Sequence, residues 1–186
     1  VRSAELQGRT EDVIRLLEEL AAAREAAGQT LDNIGIYNRL IELQPDNPAH
    51  RLRLAAIHES RRDMRNACRE MESAAMLLMK QERGSEAIPL LERILRCEPQ
   101  QKRLRMALAE ELIRQGDYER AREQLFEVAN QQIENSEFVA AEKTVRRWLD
   151  IEPDSVATYE TLARIFQEQE RLEEAAGALR QAADAA

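Results

Sequence analysis

Three prolines, Pro45, Pro99 and Pro153, stand 54 residues apart and then 54 again. Leu54, Leu108 and Leu162 keep the same step, as do Ala55, Ala109 and Ala163. Ala67, Ala121 and Ala175 follow, then Met71, Leu125 and Leu179. Ala87 pairs with Ala141 and Leu95 with Leu149. A gapless register over two periods means one supersecondary unit repeated. Such a unit cannot bury its apolar face alone, so its neighbours must stack on it.

The unit is helical. Ala, Glu, Leu and Arg dominate the chain, only 6 Gly and 5 Pro interrupt it, and aromatics are 4 %. β-branched and aromatic runs are missing, which argues against a sheet. Apolar spacing and breaks place three helices in each full unit, at about 48–61, 64–80 and 84–97, then 101–115, 118–133 and 137–150. The next unit gives 155–168 and 171–185. Upstream, 10–27 and 30–43 fill the second and third slots of an earlier unit, for about ten antiparallel helices in all. Asp63, Asp117 and Ser85 are placed to cap helix N-termini, and Gly28 and Gly116 to end helices. The expected organisation is one solenoid segment over 1–186, with units of about 1–44 (partial), 45–98, 99–152 and 153–186 (partial). The chain starts with Val, before a second-slot helix, and stops inside another, so it reads as a piece of a longer protein.

Within this register the residues resemble the tetratricopeptide repeat. Arg105-x2-Leu108-Ala109-x2-Leu112 followed by Ala121-x3-Leu125 fits its small-and-large pattern, as does Tyr159-x2-Leu162-Ala163-x2-Phe166 followed by Ala175-x3-Leu179. Met71-x2-Ala74-Ala75-x2-Leu78, with Ala87-x3-Leu91 and Pro99, fits in a second frame. The anchor alanines 67, 87, 121, 141 and 175 alternate spacings of 20 and 34. The 34 is the family's period; the 20 departs from it, as though the middle helix closes one motif and opens the next. The resemblance implies an all-α, right-handed superhelical α-solenoid and a non-catalytic scaffold that binds a peptide or helix of another protein. A structural spacer or oligomerisation segment with no dedicated ligand is the alternative.

The small anchors should let helix backbones approach, with Met71, Leu91, Leu125, Val145 and Leu179 filling the space between layers. Trp148 shares its slot with Ile94 and Leu40, and Cys97 with Ile151 and Leu43, so both are expected in the core. His58 aligns with Leu112 and Phe166 and reads as half-buried packing; His50 falls in a polar turn without a partner. No Cys or His pair has metal-ligand spacing, and no nucleophile, Gly-rich loop or converging base accompanies the carboxylates. No catalytic, cofactor or metal site is expected.

Charge singles out a surface. The net charge is −8, which argues against a general nucleic-acid or anionic-membrane binder. No apolar run approaches the ~18–20 residues that span a bilayer. With two Cys that read as free thiols, the expected compartment is the cytoplasm, and 24 Arg against 3 Lys fits a GC-rich, bacterial coding sequence. Arg61, Arg62, Arg65 and Arg69 fall on or near one stripe at the start of helix 64–80. They are either a solvated face with Asp63 and Glu72 as partners, or a dock for an acidic or C-terminal carboxylate group, which arginine's planar fork binds bidentately. Met106 and Ile113 share one side of helix 101–115, and Glu160 and Gln167 hold the equivalent slots of the next unit. With Arg103 and Arg114 beside them they form a second candidate patch. The alanine-rich last helix is expected to stack end-to-end on another copy at high concentration.

Overall fold

The computed structural model describes residues 2–186, with side chains from residue 8 onward. The elements in order are α1 (Arg2–Ala26), α2 (Ile34–Leu43), α3 (Pro48–Ser60), α4 (Met64–Lys80), α5 (Gly84–Cys97), α6 (Lys102–Gln115), α7 (Tyr118–Glu134), α8 (Phe138–Leu149), α9 (Val156–Glu168) and α10 (Leu172–Asp184). The described residues are all-α, without a strand. Helices α3 to α10 begin and end within one residue of the positions read from the pattern. Upstream the reading needs correction: α1 starts at Arg2, and Thr30–Asn33 forms a 3-10 turn ahead of α2.

The chain divides into two compact units, Val1–Arg96 and Cys97–Ala186. In the first, α1 packs on α2, α2 on α3 and α3 on α4; in the second, α6 to α10 pack each on the next. The first core holds Ala21, Ile36, Tyr37, Leu40, Leu54 and Ile57, with Ile14, Leu17, Ile34 and Ile41 against them. The second runs from Ala129, Ile133, Ala141 and Val145 to Leu162, Ile165, Phe166 and Ala178. Ala67, Ala87, Ala109, Ala121 and Ala141 are fully buried, each a methyl group where a larger side chain would hold two backbones apart. Trp148 is buried as its slot predicts, and its indole N–H donates to Glu152 Oε2 at 2.8 Å, the partner a buried indole requires.

Local chemistry sets the helix ends. Asp63 Oδ1 accepts from the Asn66 amide at 3.3 Å and Asp117 Oδ1 from that of Arg120 at 3.4 Å. Asn47 caps α3 through the Ala49 amide at 3.1 Å, with Pro48 in the first turn. Ser85 is not a cap, because α5 already begins at Gly84. Six residues adopt left-handed backbone, in the repeat's own register: Arg62 (φ 61°), Gly116 (79°) and Glu170 (59°), and Gly28 (74°), Glu82 (61°) and Ser136 (59°). The residue after each donates to the carbonyl five positions back, as in Asp63 to His58 at 2.8 Å and Asp117 to Leu112 at 2.9 Å. These bonds satisfy carbonyls that the helix end leaves open.

Two core assignments are corrected. Cys97 is exposed; its slot lies at the end of a helix or just past it, where Leu43 and Ile151 are also only half-buried. Leu179 is 45 % exposed, whereas its equivalents Met71 and Leu125 are buried. In their repeats a third helix follows the second; α10 is the last helix described.

Candidate functional site

The four arginines of the first unit do not share one helical stripe. Arg61 caps the C-terminus of α3, Arg62 occupies the left-handed turn, and only Arg65 and Arg69, one turn apart, lie on α4. All four are exposed, and among the described residues none makes an ion pair. Asp63, an expected partner, is committed elsewhere: it caps α4, accepts from Asn66 Nδ2 at 2.7 Å and stands 3.4 Å from His58 Nδ1. The Asn66 side-chain and backbone hydrogen bonds hold its carboxyl below the ordinary aspartate range. Nearby arginines differ: Arg51 Nη1 donates to Glu70 Oε2 at 2.9 Å, and Arg93 pairs with Glu59.

The second candidate patch belongs to the other unit. Met106 and Ile113 are both half-buried on α6, while Arg103 and Arg114 are exposed. Arg114 Nη1 lies 2.6 Å from Glu111 Oε2, and Gln115 Nε2 donates to Glu111 Oε1 at 3.1 Å. Glu111 is 2 % exposed in a slot that Ile57 and Ile165 fill elsewhere. Arg114 is 55 % exposed, so replacing Glu111 leaves no buried charge unpaired, and an apolar side chain removes the cost of holding a carboxylate in an apolar slot. Glu111→Ile is therefore expected to raise stability by about 1 kcal/mol, read from chemical denaturation.

A polar cluster in the first unit was missed by the sequence reading, which left His50 unpartnered in a turn. His50 is buried in the first turn of α3, with Nε2 2.7 Å from Gln44 Oε1, 3.0 Å from Asn47 Nδ2 and 3.8 Å from Glu18. Its repeat equivalents Leu104 and Thr158 are fully buried, so the register itself carried the signal. Beside it the Tyr37 hydroxyl donates to Glu25 Oε1 at 2.6 Å. Burial, then the Glu25 bond and charge, push the phenol up to about 12. A cavity of 260 Å³ is lined by Glu18, Glu25, Tyr37, His50 and Arg53. Burial lowers the His50 pKa, and Glu18 opposes that shift. A histidine with a lowered native pKa binds fewer protons folded than unfolded, so stability falls as pH drops through the unfolded value of about 6.5. The thermal midpoint is expected to decline from pH 7.5 to 5.5, with a smaller decline in His50→Leu over the same window. The cluster has no nucleophile, and among the described residues no group of three metal-binding side chains forms.

This arrangement of stacked helices with small anchors is that of a helical repeat protein. Residues 78–138 match the model of the tetratricopeptide repeat family, so that stretch of the chain carries the repeat its alanine spacing resembles. No curated protein matches the chain. Solved structures similar to it include MamA from Desulfovibrio magneticus RS-1, at 12 % identity over 94 % of this chain and 95 % of that one, TM-score 0.34. YrrB, described as a tetratricopeptide protein with an unusual peptide-binding site, is 16 % identical over 93 % and 84 %, TM-score 0.33. The tetratricopeptide domain of P58(IPK) is 17 % identical over 98 % and 63 %, TM-score 0.39. Among the described residues no helix is long and apolar enough to cross a membrane.

Proposed function

We propose that the chain is a non-catalytic, cytoplasmic protein-interaction scaffold that docks an acidic peptide or helix of a partner protein. The repeat match supports the scaffold role. The observation that carries the docking surface is the group Arg61, Arg62, Arg65 and Arg69: four exposed guanidinium groups without an ion pair among the described residues, in a chain of net charge −8. Each is free to accept a carboxylate without first breaking an internal pair. Arg103, Met106, Ile113 and Arg114 form the second proposed contact surface, and stacking of α10 on another copy a proposed self-association.

Partner capture is expected to weaken as salt rises and to fall about tenfold or more in Arg65→Glu/Arg69→Glu, because opposed charges give way to like ones. A captured partner indifferent to both changes would leave the arginines as solvated surface and favour the spacer reading.

A further inference from the structure

We propose that α1 pairs antiparallel with α1 of a second copy of this chain, through Val13, Leu16 and Leu20. These side chains are 43 %, 59 % and 43 % exposed. Spaced three and four apart, they line one side of the helix. Ile14, Leu17 and Ala21, on the adjoining side, pack into the first core. The apolar face of α1 is therefore wider than the core it covers.

The repeat shows that the bare part is not built for another repeat helix. One period on, α1 aligns with α4, and then with α7 and α10. Each of those packs on the helix before it, α3, α6 or α9. The slots of Val13 hold Ala67, Ala121 and Ala175 there, and the slots of Leu20 hold Ala74, Val128 and Ala182, all buried. In the slot of Leu16, Glu70 and Gln124 accept from Arg51 and Arg105 of the preceding helix, each at 2.9 Å. In α1 bulk replaces the methyl groups that let backbones approach, and the acceptor is gone.

The stripe instead fits a seam with itself. Val13 and Leu20 take the a positions of a heptad, and Arg9, Leu16 and Ala23 the d positions. At 25 residues α1 is about 37 Å long, enough for several such layers. In an antiparallel pair each a faces a d: Val13 meets Leu16 of the second copy, and Leu20 meets Arg9. Arg9 then lies beside Glu19 of the second copy. Both are exposed and make no ion pair among the described residues, whereas Asp12 on the same edge is held by Arg15 at 3.0 Å. A parallel pair would set Arg9 against Arg9. The antiparallel pair is isologous and closes at two copies. The edge of the stripe carries Glu11, Asp12, Glu18 and Glu19, all exposed, which disfavours a lipid surface, since helices lying on one are rich in basic residues.

The test is sedimentation velocity of the full chain, under reducing conditions, from about 5 to 500 µM. A monomer–dimer equilibrium without larger species is expected. Leu16→Glu should weaken dimerisation at least about tenfold, and Arg9→Glu about threefold, with Arg9→Glu/Glu19→Arg restoring it. Leu179→Glu should leave the dimer unchanged, which separates this pairing from the stacking of α10 under the proposed function. In a Cys97→Ser background, Val13→Cys mixed with Leu16→Cys should cross-link on oxidation, while Arg9→Cys should not cross-link to itself. The proposal is overturned by a monomer at every concentration, by a dimer that Leu16→Glu and Arg9→Glu leave unchanged once circular dichroism shows both folded, or by preferential self-cross-linking of Arg9→Cys.

Discussion

The variant carrying Arg62→Gly, Glu82→Gly, Ser136→Gly and Glu170→Gly is expected to melt about 5–15 °C above the parent chain. All four residues sit at φ near 60°, where a side chain's Cβ crowds the following carbonyl at a cost of about 1–2 kcal/mol. Glycine avoids that contact but loses more backbone entropy on folding, so about 0.5–1 kcal/mol per site should remain. At roughly 2–4 °C per kcal/mol for a chain of this length, four sites give the stated rise. The reciprocal change calibrates the argument. A Cβ at Gly28 or Gly116 would meet nothing within 4 Å, so Gly116→Ala isolates the backbone term and should lose about 1 kcal/mol. If the fourfold variant melts with the parent while Gly116→Ala is destabilised, the Arg62, Glu82, Ser136 and Glu170 side chains contribute as much as their conformation costs.

Only two of these six turns were visible as glycine, and that contrast shows where sequence reading works here. Periodicity located the helices because each repeat buries the same slots: Leu54, Leu108 and Leu162, or Ala67, Ala121 and Ala175, are each buried. A left-handed turn is set by the hydrogen bonds closing two helices, and Arg62 or Glu170 adopts it without being a residue that asks for it. Slots at helix ends and in terminal repeats misled for a related reason. Cys97 and Leu179 align with apolar residues, yet their burial depends on whether another element lies over that turn. His50 erred the other way, polar in type but placed in a core slot. Candidate sites were legible as clusters of charge, not as geometry. The sequence brought Arg61 to Arg69 together, whereas which arginines were already paired depended on neighbours distant in sequence, as with Arg51 and Glu70.

Ala121→Leu is expected to lower stability by about 1–3 kcal/mol, a drop of roughly 3–10 °C in thermal midpoint. Ala121 is fully buried at the start of α7, and α7 packs on both α6 and α8. Leucine adds an isopropyl group to the Cβ, and a close-packed site can take it only by moving a helix or forcing a strained rotamer. The helix end cannot give way freely, because Asp117 caps it through the Arg120 amide and Gly116 fixes the preceding turn. Glu123→Leu is the control: it places the same side chain on the exposed face of the same helix, where a change within about 0.5 kcal/mol is expected. Ala67→Leu should reproduce the Ala121 result, since Ala67 holds the same slot one repeat earlier and is equally buried. A shift at Ala121 alone would mean that the 54-residue register matches residues without matching packing. Shifts at both sites, with none at Glu123, would tie the repeat to helix spacing set by a methyl group.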